Sequence, residues 1–488
     1  MIPCLPWEPD KGPYSPTSTD YVLNVAPIAN GYGPFNDLSE ISDALGEDCY
    51  GATYYRASDG SFGLVAGSQT TLYKYNTASG SWDDISGPSA PYNVPDGQLW
   101  QFERFGPGLY ATNLNDALQV YDVDGGSAFA DVAGSPPQAK YIRAIGDFLF
   151  LLYLKVGADE LPTTWRHSGL NDAETWTVGT KRCDQQFIPS GDEIVGALSF
   201  GGGGRVFQRN ALRSVTFNPG GQFTFTMDII DGAKGCVAPY SIVQLSRSTY
   251  IYLAEDGWYL NDEATPIGRE RIDQTFFKTV DLDKLDQVQA IADPYRKRAL
   301  VRFQNGSGDH VMWLYDWQLD KWTPTDIAAQ FLLSVVTAGY TLEELDAFGT
   351  LETLTASMDS RIWKGGRPTV GAFKTDGKMY SFTGDAAAAV IRTPQMEMVS
   401  GSRAFLSGLR AVSDVPVDGY TLKIGTADFH GQAATWGSAV TPSTRTGMTP
   451  FRRSGRLHAV EMDIEAGAIW EHVHGFDETG FVRPEGQQ

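Results

Sequence analysis

Residues 287–325, QVQAIADPYRKRALVRFQNGSGDHVMWLYDWQLDKWTPT, decide the predicted fold of this chain. Ala299, Val301 and Phe303 alternate with Arg298, Leu300 and Arg302, and this period of two predicts a strand. Turn sequences at residues 293–297, 305–308 and 320–321 divide this stretch into four successive strand-like segments. Four antiparallel strands within about 40 residues have the size of one β-propeller blade, so we predict one contiguous sheet here.

Part of this pattern recurs earlier in the chain. Tyr75 and Trp82 align without a gap on Tyr315 and Trp322. Asp-Gly pairs that precede aromatic residues also recur, and such pairs supply the positive φ of a tight hairpin turn. They stand at residues 59–60, 256–257 and 376–377. Repetition at long period is typical of propellers, so we predict an all-β chain with a β-propeller of about six to seven blades over residues 47–400.

The two ends of the chain lack this repeat. Residues 1–46 are rich in proline and have almost no period, which indicates an extended N-terminal arm lying on the surface or on a neighbouring subunit. Residues 401–488 contain strand-like segments and predict a small C-terminal β domain. Helical signals are few: a short turn at residues 281–285 and a capping-box pattern at residues 341–344.

The charge balance argues against binding to duplex DNA. The chain has 38 basic and 59 acidic residues, a net charge of −21, and residues 1–400 hold 30 of the basic and 49 of the acidic groups. Affinity for DNA comes largely from phosphate neutralisation by Lys and Arg. The acidic excess serves either general solubility or a surface past which DNA slides without sticking.

Motifs for export, membrane insertion and disulfide or metal binding are absent from the sequence. The N-terminus has neither a basic nor an apolar signal region, and the apolar run at residues 148–154 is much too short for the roughly 20 residues of a membrane span. The four cysteines are far apart and include no CxxC pair. We therefore expect buried free thiols.

Candidate catalytic and metal motifs are weak. Residues 201–204 are four glycines without the GK[ST] ending of a phosphate-binding loop, which indicates a hairpin loop. His472 and His474 would share one face of a strand as half of a metal site, but no third ligand is evident, so we expect ordinary surface histidines and no metal. Neither GxSxG nor HExxH occurs. We predict a non-enzymatic protein without a cofactor.

One dense basic cluster stands out near the C-terminus. It consists of Arg445, Arg452, Arg453 and Arg456. Arginine's planar fork binds carboxylates with two hydrogen bonds, so this cluster is either a solvated loop or a contact with another subunit or protein.

Several short motifs resemble those of one family. Residues 7–10 (WEPD), 24–27 (NVAP) and 31–35 (GYGPF) resemble the opening of the tail nozzle proteins of short-tailed bacteriophages, also called tail tubular protein B or tail stabilisation proteins. Residues 168–172 with Trp176, residues 288–322, and residues 454–456 with 466–470 are similar to the same family. Together these motifs span nearly the whole chain.

The resemblance implies a structural subunit of the virion tail, assembled in the host bacterial cytoplasm. Such subunits form a homo-oligomeric ring, usually a hexamer, below the adaptor and portal rings and in contact with tail fibres or spikes. The ring retains the genome and releases it at DNA ejection, with DNA passing through the lumen without tight binding. No catalytic residues come with the resemblance.

Two other functions remain open from the sequence. The first is a glycan-binding or glycan-cleaving propeller of a phage tail, since residues 171–176 and 76–82 faintly resemble the Asp-box turns of sialidase propellers. Such an enzyme would show a cleft with Trp or Tyr residues and two carboxylates about 5–10 Å apart. The second is a monomeric propeller that serves as an interaction scaffold.

Overall fold

The computed structural model describes residues 1–12, 14–230, 232–336 and 368–485. The first 46 residues hold five short strands and a 3-10 helix at Pro9–Lys11. The strands are β1 (Ile2–Pro3), β2 (Val22–Leu23), β3 (Val25–Ile28), β4 (Gly31–Pro34) and β5 (Ser39–Glu40). The partners of these strands all lie more than 300 residues further along the chain, apart from the β3–β4 hairpin.

The middle of the chain forms seven four-stranded antiparallel sheets, numbered here in chain order. The first has β6 (Gly51–Arg56), β7 (Phe62–Gly67), β8 (Leu72–Tyr75) and β9 (Trp82–Asp84). The second has β10 (Gln101–Phe105), β11 (Gly108–Thr112), β12 (Gln119–Asp122) and β13 (Ala130–Asp131). The third has β14 (Gln138–Ile145), β15 (Phe148–Val156), β16 (Asp159–His167) and β17 (Asp184–Phe187). The fourth has β18 (Ile194–Phe200), β19 (Gly203–Gln208), β20 (Leu212–Phe217) and β21 (Phe225–Ile229).

The remaining three sheets follow the same order. The fifth has β22 (Val243–Ser246), β23 (Thr249–Ala254), β24 (Gly257–Leu260) and β25 (Thr265–Pro266). The sixth has β26 (Gln289–Asp293), β27 (Arg298–Gln304), β28 (His310–Asp316) and β29 (Lys321–Thr325). The seventh has β30 (Phe331–Val336), β31 (Pro368–Phe373) and β32 (Met379–Ser381), with β5 as its fourth strand. Helix α1 (Asp273–Thr279) and 3-10 helices at Pro239–Ser241 and Leu282–Gln287 lie in the connections.

This architecture is nearly all β and propeller-like, as predicted. The stretch 287–325 forms one contiguous sheet, β26 to β29 in order, which confirms that prediction. The Asp-Gly pairs also make hairpin turns: Gly60 has a φ of +90° between β6 and β7, and Gly377 has a φ of +74° between β31 and β32. A side chain with a β-carbon adopts such angles only with strain. The capping-box pattern at residues 341–344 lies outside the described residues.

Two larger sheets are built from both ends of the chain. Their C-terminal strands are β33 (Ala389–Arg392), β34 (Met396–Glu397), β35 (Ala404–Ser413), β36 (Tyr420–Ala427), β37 (Thr435–Trp436), β38 (Met448–Gly455), β39 (Leu457–Ile464), β40 (Val473–Asp477) and β41 (Val482–Pro484). The seven-stranded sheet has the order β3-β4-β40-β35-β38, with β1 on β40 and β41 on β35. The six-stranded sheet has the order β2-β33-β39-β36-β37, with β34 on β39.

The N-terminal segment differs from the extended arm that we expected for residues 1–46. Ile2 pairs with Phe476, Val22 pairs with Ile391, and Glu40 pairs with Tyr380. The segment therefore belongs to three sheets of this same chain. Strands of two to four residues carry too little alternation to be recognised in the sequence, which is why this segment was expected to be irregular. The C-terminal sheets likewise begin at β33, before residue 401.

Apolar clusters connect the sheets in the order of the chain and then connect the last to the first. Leu64 and Ala66 of the first sheet share one buried cluster with Leu333 and Phe373 of the seventh, and β30 lies against β6. The largest cluster joins the fifth and sixth sheets to both C-terminal sheets, with Trp7 packed edge-on against Trp313 at 5.0 Å between ring centroids. Burying this apolar surface is the main stabilising contribution to such a fold.

All four cysteines are free thiols, as predicted. Cys49, Cys183 and Cys236 are buried, and Cys4 is partly buried. Burial raises the pKa of Cys49 and Cys236 to about 12, so both remain neutral thiols at physiological pH.

Candidate functional site

The predicted arginine cluster lies on and beside β38, the edge strand of the seven-stranded sheet. β38 pairs with β35 on one side, and it ends the strand order of the sheet on the other. Arg452 and Arg453 are on the strand, Arg445 precedes it in an exposed turn, and Arg456 follows it. Charged residues and proline on an edge strand prevent uncontrolled strand pairing, and Pro450 and Arg452 are the exposed residues here.

The four arginines differ in their partners. Arg456 Nε donates to Glu397 Oε1 at 3.0 Å, so its charge is balanced within the chain. The guanidinium of Arg453 is half-buried and lies over Gly437, in space that a β-carbon at that glycine would occupy. Arg445 and Arg452 are exposed, and neither forms an ion pair with a described residue. These two are the arginines that remain available for an acidic partner.

A fifth arginine joins this surface, and the sequence did not indicate it. Arg483 is an exposed residue of β41 and pairs with Phe405 of β35, which on its other side pairs with Ser454 of β38. The backbone pairing thus brings Arg483 within two strands of the cluster. Only the docking of β41 on β35 places it there, since residues 453 and 483 are far apart in the sequence.

A group of exposed apolar side chains lies on β17, β20 and β21 and in the loops that precede β17 and β21, and the sequence did not indicate this group either. Its members are exposed by 39% to 69%: Val178, Phe187, Phe217, Phe223 and Ile229. Isolated exposed hydrophobic residues are ordinary, but several that lie on adjacent elements mark a candidate protein contact. We call this group the outer apolar patch.

The two C-terminal histidines lie close together. The His472 and His474 rings are 4.7 Å apart between centroids, and Asp414 and Glu471 stand beside His472. Both oxygens of Asp414 already accept backbone N–H groups: Oδ1 from Glu471 at 3.1 Å and from His472 at 3.0 Å, and Oδ2 from Glu471 at 3.0 Å. His474 Nδ1 contacts the carbonyl oxygen of Asn30. These contacts join the end of β35 to β40 and to the N-terminal segment. The ligand atoms of Asp414, Glu471 and His472 lie within 4.8 Å of one another, so the structure brings two carboxylates to a histidine for which the sequence showed no third ligand.

The glycine run at residues 201–204 forms the hairpin between β18 and β19, as predicted. Phe200 pairs with Gly203, and Gly201 and Gly202 have φ of +63° and +78°. The run supplies turn geometry and has none of the side chains of a phosphate site.

The repeated aromatic pairs occupy corresponding places in two sheets. Tyr75 pairs with Trp82 across the third and fourth strands of the first sheet, and Tyr315 pairs with Trp322 across the same strands of the sixth. Trp322 is 1% exposed, whereas Trp82 is only partly buried. The two tryptophans that the sequence alignment matched therefore occupy the same position in their sheets, but Trp322 is more deeply buried than Trp82.

Both indoles contact the preceding sheet in the same way. Trp322 Nε1 donates to the carbonyl of Ile267, just past the fourth strand of the fifth sheet, at 3.1 Å. Trp82 Nε1 donates to the carbonyl of Asp43, just past β5, at 3.1 Å, and its ring lies 5.7 Å from that of Phe373 in the seventh sheet. The first sheet therefore contacts the seventh as the sixth contacts the fifth.

Among the described residues, the structure has no helix with the length and apolarity that a membrane span requires.

Comparison with known proteins gives little beyond the fold. No protein-family model and no curated protein sequence matches this chain. A chain of the crystal structure of the mitotic checkpoint complex aligns over 73% of this chain and 95% of its own length, with 10% identity and a TM-score of 0.36. The extracellular domain of the putative hybrid two-component system BT4673 of B. thetaiotaomicron aligns over 82% of this chain, with 11% identity and a TM-score of 0.33. This chain spans about half of that protein's length, 47%, and likenesses this distant carry no information on function.

Proposed function

We propose that this chain is a non-enzymatic structural subunit of the tail nozzle ring of a short-tailed bacteriophage. The supporting observation is that the motifs of the resemblance meet in space. Residues 25–28 and 31–34 form β3 and β4, which join the sheet of β38 and β40, and Trp470 is buried in the same cluster as Trp7. Motifs from opposite ends of the sequence thus belong to one structural unit.

We propose further that the seven four-stranded sheets are the blades of one closed β-propeller. The equivalent contacts of Trp82 and Trp322 support this proposal. Trp322 bonds the sixth sheet to the fifth, and Trp82 bonds the first sheet to the seventh in the same way, as expected if the seven sheets follow one another around a circle. So does β5, which adds an N-terminal strand to the last sheet and would hold the circle together.

A ring needs two different complementary surfaces on each subunit. The arginine surface around β38 is our candidate for one of them, and an acidic part of the neighbouring subunit's body would be its complement, because carboxylates pair with arginine. The outer apolar patch is our candidate for contact with another tail protein. We propose a ring of six copies with acidic residues of the body lining its lumen. The adaptor and portal-associated proteins and the fibres or spikes are its proposed partners in the virion tail.

The oligomeric state tests this proposal. We expect the purified chain, or the chain with its adaptor, to form a ring by mass photometry and negative-stain imaging. The double substitution Arg445→Glu and Arg452→Glu should weaken assembly by about tenfold or more, since two desolvated cation–carboxylate contacts are reversed. The matched control is Arg247→Glu with Arg269→Glu, two exposed arginines of the fifth-sheet region. A chain that stays monomeric with and without the adaptor would refute the ring.

A further inference from the structure

A cavity of ≈ 170 Å³ lies at one end of the seven-sheet body. Its lining includes residues that lie one to three positions before the first strands of five sheets: Tyr50, Leu99, Tyr240, Gln287 and Gln330. Gln304 and His310, which flank the turn between β27 and β28, complete one wall. A concave site in which a few polar side chains converge is a common setting for ligand binding.

Arg302 is the buried charge of this cavity. It is 8% exposed. Its Nε donates to the carbonyl of Ala329 at 3.3 Å, its Nη1 to the carbonyl of Gln287 at 3.2 Å, and its Nη2 contacts His310 Nδ1 at 3.0 Å. Burial lowers its pKa to about 10, so the guanidinium is still charged at pH 7.

None of these partners is an anion. Burial, Arg302 and Lys284 lower the pKa of His310 to about 4, so its ring is neutral at pH 7 and Nδ1 can accept from Arg302. A guanidinium has five N–H groups. Within the described part of the chain, one N–H on Nη1 and one on Nη2 therefore have no partner. Those two nitrogens form the fork that binds both oxygens of a carboxylate.

Two further residues of the lining, Gln330 and Tyr240, have hydrogen-bonding capacity that the fold does not use. Gln330 Oε1 is buried and has no hydrogen-bond partner among the described residues. The Tyr240 hydroxyl oxygen accepts from the N–H of Leu99 at 2.8 Å, which leaves its proton free to donate. The one carboxylate of the lining is Asp48, and it lies at the exposed rim.

A second buried arginine shows that this arrangement is unusual even within the same fold. Arg213 of the fourth sheet is 5% exposed and also has no carboxylate partner. It is bonded to Gln208, Met227 and Ser190 through four contacts, and it does not line the cavity. Because a buried charged donor without an anionic partner costs free energy, the unused N–H groups of Arg302 favour an anion bound in this cavity.

We propose that this cavity binds a small carboxylate that also carries a hydroxyl or amide hydrogen-bond donor. The carboxylate lies on the Arg302 fork and the donor group on Gln330 Oε1, with Tyr240 donating to a further oxygen. The site does not depend on the assembly of a ring, and its ligand would occupy the mouth of the proposed propeller.

Three small probes of similar size test separately whether the ligand needs a carboxylate and whether it needs a hydroxyl group. Glycerate has the carboxylate and hydroxyls, glycerol has only hydroxyls, and propionate has only the carboxylate. In titrations of the full chain followed by saturation-transfer NMR, we expect glycerate to bind about tenfold more tightly than either of the others. Equal binding of all three, or no binding of glycerate, would overturn the proposal.

Variants assign the two contacts. Arg302→Met should abolish the preference for glycerate over glycerol, whereas Arg213→Met, the matched buried arginine, should retain it. Gln330→Met should remove the preference for glycerate over propionate without lowering the thermal unfolding temperature, because its side-chain oxygen has no partner in the fold. If Arg302→Met fails to fold, the Gln330→Met variant still tests the proposal. An unchanged preference of that variant for glycerate over propionate would refute the contact assigned to Gln330.

Discussion

Asn24 connects three parts of the fold through one side chain. Its Nδ2 donates to Asp326 Oδ1 at 2.7 Å and to the carbonyl of Ala388 at 2.8 Å. Its Oδ1 accepts from the Thr325 hydroxyl at 2.7 Å and from the N–H of Asp326 at 3.0 Å. Its φ of +53° is one that asparagine tolerates better than most residues. An amide that both donates and accepts explains why this residue type suits the junction of β2, β29 and β33.

Trp322 and Trp82 offer a comparison of burial at equal strand positions. Trp322 stacks on Tyr315 with ring centroids 4.6 Å apart and contacts Trp258 at 5.9 Å, whereas Trp82 keeps part of its ring in solvent. We expect Trp322→Ala to reduce the free energy of unfolding by about 3–5 kcal/mol, because it leaves a large cavity. Trp82→Ala should cost about 1–3 kcal/mol.

Urea unfolding followed by circular dichroism measures both variants. Phe429→Ala serves as the control, because that ring is 62% exposed and its removal should change stability by less than about 0.5 kcal/mol. Equal losses for the two tryptophan variants would show that burial of the indole does not determine their contribution.

Among the strands, β5 is only two residues long, but it and the residues that follow it contact both the seventh and the first sheets. Two residues, Ser39 and Glu40, form the fourth strand of the seventh sheet. The chain then continues at Ile41, whose N–H donates to the carbonyl of Met379 at 2.8 Å. This segment also supplies Ser42 and Asp43, which accept the indole N–H of Trp82. One short element thus links the last sheet to the first.

Ile41→Pro tests this link, because proline has no N–H to donate to Met379. We expect the variant to lose about 2–3 kcal/mol of stability and to become more sensitive to proteolysis between residues 30 and 50. The side chain of Ile41 is 37% exposed, so Ile41→Ala is the matched control and should be nearly neutral. Unchanged protease resistance in Ile41→Pro would mean that β5 is not needed to hold the two sheets together.

At the scale of the whole molecule, charge is unevenly distributed. The net charge is −21, and the body carries most of the acidic excess. The exposed arginines near the C-terminus, Arg445, Arg452 and Arg483, lie in the region where the two charges are nearly balanced. In the ring that we propose, the exposed arginines would lie at subunit contacts and the acidic excess would repel polyanions.

We expect the assembled protein to show no measurable affinity for duplex DNA at about 50 mM salt, since it presents few phosphate-neutralising groups. Fluorescence anisotropy of a labelled duplex measures this. Binding at about 50 mM salt that disappears at about 200 mM salt would reveal a basic DNA-binding surface. In that case the proposed passage of DNA along an acidic lumen would be wrong even if the ring exists.

The hairpins and single sheets of this protein could be predicted from local sequence patterns. Alternation and turn residues in 287–325 specify one sheet, and the equivalence of Tyr75–Trp82 with Tyr315–Trp322 specifies a repeated strand pair, because hairpins are encoded by residues close in the chain. Only the tertiary structure decided the pairings between the chain's ends, such as Ile2 with Phe476. It also decided the position of Arg483 beside β38 and of Arg302 in a cavity formed by five sheets. These features depend on contacts between residues that are tens to hundreds of positions apart. Strands of two to four residues are too short to show a period from which such contacts could be predicted.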